Sequence, residues 1–103
     1  MKTIGMIGGM SWESTQHYYK IMNQYIYNQL GGHNSLEAII YSVNFAPLLE
    51  AVINNDWDTV TKKVTGIAQK IESAGASFLI LTANAIHKVA PAIESLIKIP
   101  LLH

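Results

Sequence analysis

Three short apolar runs, each followed by a longer stretch with the three-and-four spacing of an amphipathic helix, constrain this chain more than any other feature. Alternation of that kind builds a sheet of parallel strands joined by helical crossovers. The first run, residues 3–7, stops at Gly8-Gly9, and Ser11 stands where an N-cap would open a helix over residues 12–30, with Glu13 in its first turn. Gly31-Gly32 ends that helix. Tyr18, Met22, Tyr25 and Ile26 fall at helical spacing and are expected to pack on the sheet.

The second strand is expected at residues 38–42, followed by a less regular segment, 43–55, in which Pro47 can open a short helix. Asp56 or Asp58 can cap the next helix, whose Val60, Val64, Ile67, Ala68 and Ile71 trace one face before Gly75 stops it. The third run, 78–82, is almost continuously apolar, as a strand covered on both faces would be. After Ala83-Asn84-Ala85 a helical pattern runs through Ile86, Val89, Ile93, Leu96 and Ile97, with Pro91 in its first turn. Leu101-Leu102-His103 reads as the opening of a fourth strand cut short where the sequence stops. Right-handed crossovers between such strands predict an α/β fold, a flavodoxin-like doubly wound parallel sheet of order 2-1-3-4 with a truncated fourth strand. Ligands then bind outside the carboxyl ends of strands one and three, where the order reverses.

Two loops occupy that position, Gly8-Gly9-Met10-Ser11 and Thr82 to His87. Glycines let backbone approach a ligand closely, and the amides opening a helix attract a carboxylate or phosphate. Taken alone, Gly8-Gly9 is more often a plain strand-to-helix turn. Neither glycine-rich nucleotide fingerprint is present. In the second loop Asn84 offers two donors and an acceptor, and His87 can exchange a proton near neutral pH, although a histidine so placed more often caps or packs. His17, His33 and His103 lack the paired spacing of a metal helix, so no metal site is expected. Trp12 and Trp57 are expected to be packing residues.

Composition narrows the partners. Lys plus Arg and Asp plus Glu number seven each, which leaves no net field for nucleic acid or an anionic membrane. The apolar run after Met1 is too short for a signal peptide or a span, so a cytoplasmic location is expected. The absence of cysteine excludes disulfides and a thiolate nucleophile within these residues. Half the residues are hydrophobic and only 14% charged, a balance expected of a single domain with some surface covered by a partner or a second lobe.

The opening Met1 to Thr15, with its Gly8-Gly9-Met10-Ser11-Trp12-Glu13 core, resembles the start of bacterial aspartate/glutamate racemases. The resemblance continues through Tyr18-Tyr19, Leu30-Gly31-Gly32, Ser42-Val43-Asn44-Phe45, Trp57-Asp58, Ala74-Gly75-Ala76, and Asn84 with His87-Lys88-Val89-Ala90. It implies a protein of two similar α/β lobes, with residues 1–103 as the amino-terminal lobe, the second lobe absent, and a dicarboxylic amino acid held between the two. Each lobe would supply one acid/base residue, and inversion at the α-carbon would proceed with no cofactor, neither pyridoxal phosphate nor metal. By position the resemblance assigns Gly9, Met10, Ser11 and Asn84 to the substrate and His87 to a supporting role. It also implies a homo-oligomer, or association through the exposed inter-lobe surface.

Departures from the family pattern carry as much information. The family reads cysteine or threonine, then asparagine, then threonine where this chain reads Ala83-Asn84-Ala85. A methyl group neither takes nor gives a proton, so the acid/base position, Ala83, is chemically vacant, and Ala85 lacks a hydroxyl expected on the substrate. Some members place a glutamine where Val52 stands. Thr82 precedes the vacant position by one residue, so its side chain is expected on the opposite face of the strand. The residues thus read as a racemase lobe inactive by itself. The alternative is a catalytically dead module that binds small carboxylates or another protein. A response-regulator-like domain is disfavoured, because its strand ends would need clustered aspartates.

Overall fold

The computed structural model of the protein describes residues 1–102; His103, the last residue of the expected fourth strand, lies outside the described residues. Strand β1 (Ile4–Gly8) leads into helix α1 (Trp12–Leu30), β2 (Ala38–Ser42), α2 (Phe45–Ile53) and α3 (Trp57–Ser73). Strand β3 (Phe78–Leu81), a 3₁₀ helix (Asn84–Val89), α4 (Ala90–Leu96) and a two-residue β4 (Leu101–Leu102) complete the order. The four strands form one sheet in the order β2-β1-β3-β4. Every pairing is parallel, with Met6 level with Ile40 on one side and with Ile80 on the other. The expected topology therefore holds, and strand ends move by one residue. β1 begins at Ile4 and extends to Gly8, whose carbonyl accepts from the Val43 amide at 2.8 Å.

Alternation along the strands divides the interior in two. Ile7, Leu79 and Leu81 face α2, α3 and α4, joining Leu48, Val60, Val64, Ile67, Ala68, Ile71 and Ile93 in the main core. Each fully buried Val or Ile on α3 contributes about 1.5–3 kcal/mol of transfer free energy, so this helix is the principal hydrophobic anchor of the fold. It comes very close. A Cβ on Gly5 would stand 2.5 Å from Ile71 Cγ2 and 3.1 Å from Ala76 Cβ.

The opposite face carries Ile4 and Met6 with Leu36, covered by Met22 and Ile26 of α1. Here one expectation is corrected. Of the four α1 residues predicted to pack on the sheet, only Met22 and Ile26 do so, while Tyr18 is 43% and Tyr25 61% exposed. The helix touches the sheet along the line Thr15, Met22, Ile26. At about 100° per residue Tyr18 and Tyr25 lie on the flank of that line, and no second described helix packs there to cover them. An apolar groove of about 370 Å³ lined by Ile4, Ile21, Met22, Tyr25, Ile26 and Leu36 results. Leu96, expected within the α4 stripe, is likewise 51% exposed. No described helix is long and apolar enough to cross a membrane.

Helix starts also sort themselves out. Asn44 caps α2 by accepting from the Ala46 amide, which puts Pro47 third in the helix, where its missing N–H would have had no partner. Asp56, not Asp58, caps α3: its carboxylate accepts from the Thr59 amide at 3.2 Å and the Thr59 hydroxyl at 2.6 Å. Ser11 occupies the N-cap position of α1 in extended conformation, yet its side chain makes no capping bond.

The hydroxyl of Thr59 first, and its amide second, hold the Asp56 carboxyl below the ordinary aspartate value of 3.8. A depressed folded-state pKa means that the cap stabilises fully above 3.8 and loses its contribution as pH falls through the lowered value. Carboxyl-carbon NMR titration should place Asp56 below 3.8, and Thr59→Ala, which keeps the amide bond and removes the hydroxyl, should return it only part of the way. An unchanged titration in the variant would assign the shift to another cause.

Candidate functional site

The parallel register of β1 and β3, with Ile7 level with Leu81, brings the two loops at their carboxyl ends side by side. Gly8 leaves room for α1: a Cβ there would lie 2.5 Å from Thr15 Oγ1. Gly9, at φ +90°, would place a Cβ 2.3 Å from the Val43 carbonyl and 2.5 Å from the Val43 amide. Both glycines are thus required by the chain's own packing, and the close approach they permit is to Thr15 and Val43. The Gly9 amide donates to Thr15 Oγ1 at 3.0 Å within the interior. Among the loop amides expected to serve a ligand, that of Gly9 must therefore be withdrawn, because its hydrogen is already directed inward.

Met10 packs into the main core, 5% exposed as a residue, and so anchors the loop. Ser11 is exposed. Trp12, expected to pack, is 65% exposed, since the first residue of α1 stands beyond the carboxyl end of β1 where no strand lies beneath it. Trp57 does pack against the main core, and its Nε1 donates to Asn55 Oδ1 at 2.9 Å.

In the second loop Thr82 and Ala83 point to opposite faces, as strand alternation requires. Thr82 is buried against α1, where its hydroxyl lies 3.2 Å from Thr15 Oγ1 and 3.2 Å from the Ile7 carbonyl. Ala83 packs half-buried on the main core. Asn84 and Ala85 open the 3₁₀ helix and are exposed, while Ile86 and Val89 bury and hold that short helix down. His87 is half-buried on it. Lys88 lies over the Trp57 ring, 4.4 Å from its centroid, which fastens the outer side of the 3₁₀ helix to the start of α3. Val52 is half-buried against the main core.

Gly9, Met10, Ser11, Ala83, Asn84 and Ala85 thus share one edge of the sheet, as the topology predicted. The arrangement is an open shelf. A dent of about 190 Å³ lined by Val43, Asn44, Pro47, Leu48, Thr59 and Lys63 flanks it. A larger concavity of about 550 Å³ lies away from it, between α1 and Asn34-Ser35. Among the described residues no three His, Asp or Glu side chains converge as a metal site would require. Thr82, whose side chain was expected on the face opposite Ala83, is paired there with Thr15, which was not singled out from the sequence. The available signal was a hydroxyl residue one helical turn beyond Ser11.

A sequence profile of Asp/Glu/Hydantoin racemases matches residues 7–103. The chain belongs to that family. A crystal structure of a protein provisionally named an Asp/Glu racemase, from Yersinia pestis, superposes on the whole chain with a TM-score of 0.96 and 43% identity. An aspartate racemase homologue from Pyrococcus horikoshii OT3 matches 99% of the chain with a TM-score of 0.90 and 31% identity. The chain spans 45% of the first structure's length and 44% of the second's. The shelf thus lies on a racemase-family α/β unit that corresponds to less than half of either relative.

Gly9→Ala would force a non-glycine residue to φ +90° and drive its methyl into the Val43 backbone. The expected loss of stability is on the order of 3 kcal/mol, read from chemical denaturation, with most of the effect from backbone strain and overlap. A loss below about 1 kcal/mol would show that the loop relaxes freely.

Proposed function

We propose that these 103 residues form the amino-terminal lobe of a two-lobed, cofactor-independent amino-acid racemase acting on a dicarboxylic amino acid such as aspartate or glutamate. The observation that carries this reading is the union of the β1 and β3 loops at the switch point of a racemase-family lobe. In that reading the backbone amides of Met10 and Ser11, together with the Asn84 side chain, receive the substrate carboxylate. His87 supports the loop beside the reacting carbon, and the setting is cytoplasmic.

Inversion at a stereocentre takes a proton from one face and delivers one to the other, so it needs two placed acid/base groups. On this lobe the position for the first is Ala83, whose methyl can do neither. The second would come from a facing lobe outside these residues. Ala85 removes a further hydroxyl. Orientation between two such groups accounts for about 7–11 kcal/mol of the barrier reduction in well-organised cases, and a single open shelf supplies little of it. These residues alone are accordingly proposed to bind without turnover. With so small a buried contact, affinity should be no tighter than about millimolar. The exposed Tyr18, Ile21 and Tyr25 flank is the surface through which the chain should associate with itself.

Two measurements test the proposal. Incubation with L- and D-aspartate and glutamate in deuterated water should give neither α-deuterium incorporation nor inversion, either for the chain or for Ala83→Cys, because the variant restores one group of two. Exchange catalysed by the unaltered chain would point to an unassigned base, with His87 the first to be removed. Sedimentation equilibrium should show a concentration-dependent increase in mass, and a strict monomer at high concentration would overturn the association.

A further inference from the structure

Thr15 and Thr82 make a buried hydroxyl pair directly beneath the shelf. Around them stand one donor, the Gly9 amide, and two carbonyl acceptors, Ser11 O at 3.4 Å and Ile7 O at 3.2 Å. Two hydroxyl protons serve these contacts in either of two ways. Thr82 donates to Ile7 O while Thr15 donates to Thr82, or Thr82 donates to Thr15 while Thr15 donates to Ser11 O. The remaining choice, both protons on carbonyls, would leave two oxygens 3.2 Å apart with no proton between them in a buried site. In both favourable arrangements Thr15 accepts from Gly9 and a proton bridges the two threonines. The bridge joins the loop after β1 to the residue immediately before Ala83, beyond the last backbone bond between these strands, Thr82 N to Ile7 O.

We propose that Thr15 and Thr82 act together as positioning residues that set the spacing between the Gly9–Ser11 loop and the Ala83–Asn84 loop, and through it the affinity for a carboxylate ligand. The identity of the ligand rests on the reading above; the coupling of the loops does not. Gly8 belongs to the same device, since any Cβ there would displace Thr15.

The test compares Thr15→Val, Thr15→Ser, Thr82→Val, Thr82→Ser and the double valine variant in the ¹⁵N-labelled chain, with L-aspartate as the probe. Valine keeps the shape and removes the proton, whereas serine keeps the hydroxyl. Thr82→Val should shift the amide resonances of Gly9, Met10 and Ser11, and Thr15→Val those of Ala83 and Asn84. Thr15→Val should also speed Gly9 amide exchange at least tenfold relative to Met6. Each valine variant should weaken L-aspartate binding at least fivefold, the double variant no more than the worse single one, and the serine variants should stay within twofold of the unaltered chain. Shifts confined to the mutated loop, additive losses, or serine variants as impaired as valine would overturn the proposal. Should Thr15→Val not fold, Thr82→Val and Thr82→Ala read the same coupling from the other side. If the unaltered chain does not bind L-aspartate, the functional reading fails, and the cross-loop shifts and Gly9 exchange alone decide whether the pair couples the loops.

Discussion

Strand β1 has no room for a side chain at Gly5 or Gly8, and both helical layers take their distance from the sheet at those two points. At Gly5 the contact is apolar, with Ile71 of α3 pressed onto the strand and the main core built outward from it. At Gly8 it is polar, with the Thr15 hydroxyl of α1 brought within bonding distance of the Gly9 amide. One strand therefore meets the hydrophobic anchor of the fold on one face and the Thr15 contact to the loop after β1 on the other. Because interiors are close-packed, a methyl added at either point must be absorbed by backbone movement.

The two layers are unequal. Among the described residues α2, α3, α4 and the 3₁₀ helix cover one face of the sheet, whereas the other receives α1 alone, in contact along a narrow line. The aromatic residues on the flank of that line are neither a buried stripe nor an ordinary solvated surface. They explain how half of a chain's residues can be hydrophobic while its second core cluster comprises only Ile4, Met6 and Leu36 with their neighbours. Apolar surface of that extent, next to a groove, is the kind that proteins cover by association.

Chemistry follows the same division. The loops at the sheet edge lie side by side, and the Ala83 methyl in the second of them rests on the core. On the function proposed above, Gly8, Thr15 and Thr82 would shape the site while residue 83 would hold the reactive position.

Periodicity alone was enough to place every strand to within a residue, the span of α1, the buried face of α3 and the order 2-1-3-4, because each depends on local alternation and on the handedness of crossovers. The shelf's location was legible for the same reason, as a consequence of strand order. Only the tertiary structure decided which residues of the α1 stripe meet the sheet, Met22 and Ile26 but not Tyr18 and Tyr25, since spacing defines a stripe and not the width of its contact. It alone decided that Asp56 rather than Asp58 caps α3, and that the Gly9 amide turns inward. The pairing of Thr15 with Thr82 was likewise out of reach: their separation of 67 residues closes only when β1 and β3 lie side by side, and no local pattern encodes a hydrogen bond between hydroxyls so far apart in the chain.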